Sequence, residues 1–266
     1  MVDAAKPPSE IDRLWAKLRA ATPARIGLTR SGTAVATREL LAFQFAHAQA
    51  RDAVNDPLDV AALTAALESQ GLGAIRLASS APDRRVYLAR PNLGRRLDAA
   101  SKAVLASGPR SFDIVFVLAD GLSARATAMH APPLLDEVVP ELRREGWRIG
   151  PTAIVERGRV AIGDEIGVLT DAALVVVMIG ERPGLTSPTS LGLYLTWAPR
   201  FGRSDAERNC LSNIHPEGMA YREAACRLLY LCREARRRRL TGVGLKDESS
   251  VALLAPDQPS TAPETT

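Results

Sequence analysis

The chain has 266 residues, enough for one large domain or a domain with an extension. Its 46% hydrophobic content supports a packed core. No apolar run approaches the ~20 residues that cross a bilayer, and residues 1–10 are too polar for a signal peptide, so a cytoplasmic protein without membrane contact is expected. The net charge is +4, but aromatics are only 5% and do not interleave with the basic residues, which leaves no stacking platform for nucleic acid.

The opening Lys6-Pro7-Pro8-Ser9 reads as unstructured. Apolar spacing predicts helices over Ile11–Ala20, Thr37–Val54 and Leu58–Gln70, the last closed by Gly71. Residues 1–70 are thus a helical N-terminal extension. From Gly71 the pattern changes to short strand candidates, Ala74–Leu77 and Val86–Leu88, a helix at Leu97–Ser107, and a buried strand at Phe112–Ala119. Ser123 is placed to cap the next helix, whose amphipathic part Leu134–Arg144 carries Pro140, a residue expected to kink or restart it. A strand at Ala153–Val155, a helix at Asp164–Leu169, strands at Ala173–Ile179 and Leu193–Trp197, and a long helix at Ala220–Leu240 complete the pattern. The last helix ends in Arg236–Arg239, where cations complement the helix dipole. Strands alternating with helices over 71–246 imply an α/β domain built of parallel βαβ units. The Pro/Ser/Thr-rich tail, 247–266, reads as disordered.

Ala173–Ile179 is a continuous apolar run, as for a strand buried on both faces, and it stops at Gly180-Glu181-Arg182-Pro183-Gly184. In parallel sheets ligands bind beyond the carboxyl ends of strands. That loop combines a close-approach glycine, a carboxylate and a guanidinium there; the plain alternative is a tight turn with solvated charges. Asp120-Gly121-Leu122-Ser123 and Arg157-Gly158-Arg159-Val160 fall at equivalent places, and Asn209–His215 is a further polar segment before the last helix. None is a phosphate-binding glycine motif. Ser123 lacks the G-x-S-x-G context of a nucleophile elbow and reads as a cap. Cys210 with His215 as base would need a third, orienting group, so a buried inert thiol is the default. The three cysteines, Cys210, Cys226 and Cys232, have no metal-ligand spacing and His47, His130 and His215 lie far apart, so reduced thiols and no metal site are expected.

Several stretches in register carry a resemblance. They are Ala24–Gly27, Tyr87–Leu97, Asp120–Ser123, Gly158–Val160, Asp164–Gly167, Gly180–Leu185 and Ser212–His215. Over about Ala24–Leu245 the chain resembles the small (light) subunit family of adenosylcobalamin-dependent ethanolamine ammonia-lyase. The resemblance implies a Rossmann-like sheet with flanking helices that covers adenosylcobalamin against a (β/α)8 large subunit, in a hetero-oligomer converting ethanolamine to acetaldehyde and ammonia by a radical route. It implies cofactor contacts at Val160, Glu181 and Cys210, and no catalytic residue in this chain. It replaces the nucleophile reading of Cys210 with a packing contact.

A cofactor that carries the hard chemistry agrees with the lack of an acid/base pair or triad here. No Asp-x-His-x-x-Gly loop is present to replace the cofactor's own base, so base-on binding is expected. In the family it resembles, some members carry a longer N-terminal extension linked to solubility and to packaging into a bacterial microcompartment; with about twenty residues before the first shared motif, that residence is left open. The competing classes are a stand-alone α/β enzyme using Asp120, Ser123 or Glu181, and a basic nucleic-acid-binding module.

Overall fold

A computed structural model describes residues 9–22 and 24–249. The readings placed on residues 1–8 and 250–266 lie outside the described residues.

Helix α1 (Glu10–Ala20) starts at a capping box in which the Ser9 hydroxyl accepts from the Asp12 N–H and the Asp12 carboxylate accepts from Ser9. The two-residue hairpin β1 (Arg30–Ser31) and β2 (Ala34–Val35) leads to α2 (Thr37–Asn55) and α3 (Val60–Ser69). Ile11, Leu14, Leu18, Leu41, Phe43 and Phe45 stay exposed along α1 and α2. Helix α3 is the first to bury a face on the sheet, through Leu63 and Leu67.

The remaining elements are β3 (Ala74–Ala78), α4 (Arg84–Ala89), α5 (Ala99–Ser107), β4 (Ile114–Ala119), α6 (Ala124–Arg144), β5 (Thr152–Glu156), α7 (Ile162–Thr170), β6 (Leu174–Gly180), β7 (Leu191–Trp197), β8 (Asn209–Ile214) and α8 (Tyr221–Arg238). The sheet order is β3-β5-β4-β6-β7-β8. Strands β3, β5, β4 and β6 are parallel, and β7 and β8 continue the sheet antiparallel. Every residue of β4 and β6 is buried, as a strand covered on both faces requires. One face packs on α3, α6 and α8 through Leu134, Val138 and Leu228; the other packs on α5 and α7 through Leu105, Ile162 and Ile166. The α/β class with an approximately Rossmann-like sheet therefore holds.

Four local expectations are corrected. Val86–Leu88 is helical: the Asp83 carboxylate accepts from the Val86 N–H at 2.7 Å, starting α4 and turning Tyr87 into the core. Helix α6 runs unbroken through Pro132, Pro133 and Pro140, because its buried side against the sheet outweighs the missing N–H groups. Asn209–Ile214 is a strand, with Leu211 and Ile214 buried while Cys210, Ser212 and Asn213 are exposed. The sheet is not wholly parallel, because β6 reaches β7 through a short loop that permits only an antiparallel return.

The helical layer of α5 and α7 covers β3, β5, β4 and β6 and includes no residue of β8 among its buried members. On that side Thr196 of β7 is buried beneath the Arg208–Asp164 pair, which reaches it from α7, and Tyr194 packs partly against the α5 and α7 layer, while Cys210 and Ser212 of β8 are exposed.

Candidate functional site

Neighbouring strands β4 and β5 send their chains to opposite faces, to α6 and α7, and such a switch normally opens a ligand crevice at the carboxyl ends. Here the crevice is filled by the chain itself. Asp120 is buried; it accepts from the Gly158 N–H at 3.0 Å and from Arg84 at 3.3 Å. Arg84 also donates to the Gly121 carbonyl at 2.8 Å. Tyr87 is fully buried, lies 4.8 Å from the Arg84 guanidinium and 4.3 Å from that of Arg159, and donates to the Gly158 carbonyl at 3.1 Å. Burial raises the Asp120 carboxyl to about 6 against the donors and cations around it.

That shift fixes a sign. A carboxyl whose folded pKa lies above its unfolded value contributes stability that is full below the unfolded value near 3.8 and is lost as pH rises through about 6. The Asp120→Asn chain is expected to lack this dependence. The stability difference between the two chains, followed by denaturant unfolding from pH 4 to pH 7, should drift by about 2 kcal/mol in that direction; a constant difference would place the Asp120 titration below that range.

Ser123 is likewise consumed: fully buried, its hydroxyl accepts from the Ala126 N–H and donates to the Pro188 carbonyl, both at 3.3 Å. It is a helix cap, as expected. His215 Nε2 pairs with Asn213 Oδ1 at 2.9 Å.

The polar groups still facing outward gather one strand further on. Glu181 follows β6 directly, and its N–H donates to the Ser190 carbonyl at 2.9 Å, extending the β6–β7 ladder. One carboxylate oxygen, Oε2, accepts from the Ser190 hydroxyl at 2.5 Å and from the Asn213 N–H of β8 at 3.3 Å. The other, Oε1, lies over Gly192, where a Cβ would come within 3.0 Å of it. In β7, Leu191, Leu193 and Leu195 point to the α6 and α8 side, leaving Gly192, Tyr194 and Thr196 on the other, where Gly192 and Thr196 are buried and Tyr194 is half-buried. Tyr194 is paired across strands with Cys210. The sequence default for that thiol is corrected: Cys210 is exposed, not buried, because no helix covers its face of β8. Partial desolvation raises its pKa, with the Glu181 carboxylate acting in the same direction, so the thiol form is favoured. Tyr194 also borders a cleft of about 430 Å³ shared with Pro91, Arg95, Arg159, Val160 and Asp205. Tyr194 thus joins the three residues singled out in the sequence: Val160 across the cleft, Cys210 across the ladder, and Glu181 at the strand end.

The sequence profile of the ethanolamine ammonia-lyase light chain matches residues 12–246. The chain is 51% identical over 265 residues to the ethanolamine ammonia-lyase small subunit of Pseudomonas aeruginosa strain UCBPP-PA14, covering 98% of this chain and 97% of that one. It is 55% identical over 244 residues to the proteins of the same name from Ralstonia nicotianae and Azotobacter vinelandii, covering 90% of each chain. The chain belongs to the ethanolamine ammonia-lyase light-chain family.

Much of the light-chain motif register does structural work. Arg25 reaches the Leu185 carbonyl of the loop after β6 at 3.4 Å. The Tyr87–Leu97 stretch lays a flap over the end of β5, where the Arg159 N–H donates to Gly94 at 2.8 Å. Asp164 and Glu165 are buried: Asp164 pairs with Arg208, and Glu165 accepts from the Leu97 N–H at 2.7 Å and pairs with Lys102 at 2.9 Å. Sequence reading missed Ser190, Gly192 and Tyr194. The alternation of leucines in 191–195 carried the signal for the last two; Ser190 had none, since its role appears only when β7 is set beside β6. Among the described residues no group of three or more His, Cys, Asp or Glu could hold a metal ion, and no helix is long and apolar enough to cross a membrane.

Proposed function

We propose that this chain clamps adenosylcobalamin against the large subunit of ethanolamine ammonia-lyase through Val160, Glu181 and Cys210, and that it contributes no catalytic group of its own. The observation that supports this most directly is the convergence of those residues around Tyr194, on the side of β7 and β8 away from α6 and α8. The arrangement fits a broad, mostly apolar disc rimmed with amides. Gly192 lets the Glu181 side chain lie close against β7, Val160 and Tyr194 offer apolar contact, and Glu181 keeps one acceptor oxygen without a partner among the described residues. When bound, adenosylcobalamin supplies the radical chemistry that converts ethanolamine to acetaldehyde and ammonia. The chain's residues hold and orient it and exclude water from one side. Binding is base-on, in a hetero-oligomer of both subunits. The helices of residues 1–70 form an extension to the cofactor-contacting unit of 71–246.

The deciding experiment measures ethanolamine-dependent ammonia release with added adenosylcobalamin, using this chain alone, the large subunit alone, and the two co-expressed. Activity only in the co-expressed sample is expected; activity of this chain alone would return the stand-alone enzyme.

Glu181→Ala is expected to weaken adenosylcobalamin binding to the assembled enzyme about tenfold, the scale of a lost charge-assisted hydrogen bond, with the melting temperature nearly unchanged. Equilibrium dialysis reads it, and an unchanged affinity removes Glu181 from the site. Cys210→Ala is expected to cost only a few-fold, because an exposed thiol gives up a packing contact alone. Abolished turnover with cofactor still bound would contradict that.

A further inference from the structure

We infer that Ser190 is a positioning residue for Glu181, and that the carboxylate so held makes the site select an uncharged amide, not a carboxylate, on the rim of the bound corrin. The inference rests on the cobalamin reading above.

The geometry around Glu181 is asymmetric. Ser190 grips it twice, accepting its N–H at 2.9 Å through the main-chain carbonyl and donating its hydroxyl to Oε2 at 2.5 Å. Ser190 is itself only 7% exposed, so water competes poorly for that bond. The second donor to Oε2 is the Asn213 N–H, and Asn213 is held in turn. Its φ is +62°, its side chain meets His215 at 2.9 Å, and its carbonyl accepts from Met219 at 2.8 Å. Two donors on one oxygen leave Oε1 as the group presented to a ligand, above the only residue of β7 that carries no side chain.

The charge balance follows from the same contacts. Glu181 forms no ion pair among the described residues, so no cation is bound to its carboxylate; Arg95 and Arg159 line the neighbouring cleft with Val160 instead. A half-buried carboxylate with one free oxygen accepts an N–H and repels a ligand carboxylate. The free amide side chains on the corrin rim are primary amides, each with two N–H donors. Hydrolysis of one to a carboxylate removes the donor and adds like charge at the same place. Ser190 sharpens this discrimination by denying Glu181 the rotation that would turn its satisfied oxygen toward the ligand.

The test uses the co-expressed two-subunit enzyme and equilibrium dialysis of adenosylcobalamin and its separate side-chain monocarboxylates. Ser190→Ala is expected to weaken adenosylcobalamin about fivefold alone and less than twofold further in the Glu181→Ala background, the non-additivity of a residue acting through another. One monocarboxylate should bind at least about tenfold more weakly than the parent, and Glu181→Gln should remove most of that penalty. A Ser190→Ala loss of equal size in both backgrounds overturns the positioning role, since a structural pin would act without Glu181. No monocarboxylate whose penalty depends on Glu181 overturns the selectivity. Unchanged affinity in Glu181→Ala itself overturns the cobalamin reading and this inference with it; a loss there without one in Ser190→Ala overturns the inference alone.

Discussion

Asp164→Ala is expected to lower the melting temperature of the chain by about 10 °C, the largest single-residue loss of stability among its charged groups. Arg208 and Asp164 meet through two bonds of 2.7 Å, with side chains only 1% and 4% exposed. Thr196 accepts a further bond from Arg208 at 2.7 Å, and the Arg203 carbonyl another at 3.2 Å. Removing the carboxylate leaves the enclosed guanidinium with neutral acceptors at hydrogen-bond distance and only the exposed Asp205 carboxylate 3.7 Å from its Nε, and breaking such a pair costs about 3–5 kcal/mol. At this chain length each kcal/mol moves the midpoint by about 2–4 °C. The pair ties α7, on the parallel half of the sheet, to the segment that enters β8 on the antiparallel half. Its loss should therefore loosen the edge that carries Cys210 and Tyr194. Asp164→Leu combined with Arg208→Met should recover most of the loss, because the cost lies in the orphaned charge and not in the missing attraction. Thermal unfolding of the three chains checks this; a single variant that melts within about 2 °C of the parent would mean that water reaches Arg208.

That ion pair also shows where sequence reading stops. Apolar periodicity made the buried strands plain: Phe112–Ala119 and Ala173–Ile179 differ from β4 and β6 only at their ends. Helix spacing placed α1, α2, α3 and α8 equally well. What the pattern carried poorly was anything set by partners distant in sequence. Val86–Leu88 is apolar and β-branched enough to look extended, yet a cap three residues ahead and a tyrosine pocket between two arginines make it helical. Asn209–Ile214 holds too many small polar residues to look like a strand, and it becomes one only because β7 offers an edge. For the site, the loop after β6 was legible as an unusual density of chemistry at a strand end. Val160 lay in a strand-end loop and Cys210 in a polar segment already noted, but their joint role as cofactor contacts came only through family resemblance, since nothing local in sequence joins residues fifty positions apart. The Asp164–Glu165 stretch was visible as a motif, but its partners, Arg208, Lys102 and the Leu97 N–H, were not.

Gly180→Ala is expected to be the most damaging small substitution in the chain, costing about 4 kcal/mol or more and at least about tenfold in adenosylcobalamin affinity. A Cβ there would lie 1.9 Å from the Ser123 carbonyl oxygen and 2.9 Å from that of Asp120. Both are backbone atoms, so no side-chain rotation relieves the overlap. Gly121 faces the same contact from the other side, at φ +55° and with its own virtual Cβ 2.3 Å from the Gly180 oxygen. The two glycines let the turn after β4 and the end of β6 meet closely enough for the Leu122 N–H to donate to the Gly180 carbonyl at 2.9 Å. Glu181 is the next residue, so spreading this contact moves the carboxylate off its Ser190 and Asn213 donors. Gly73→Ala is the matched comparison: its nearest neighbour, Pro151, lies at 4.0 Å, and the substitution should stay within about 0.5 kcal/mol of the parent. Thermal unfolding of both variants and dialysis of the assembled enzyme provide the comparison. If Gly180→Ala melts normally but loses the cofactor, the loops can separate at little cost and Glu181 alone is displaced. If it melts normally and keeps the cofactor, the close approach does not set the site, and the large subunit must hold Glu181 in place instead.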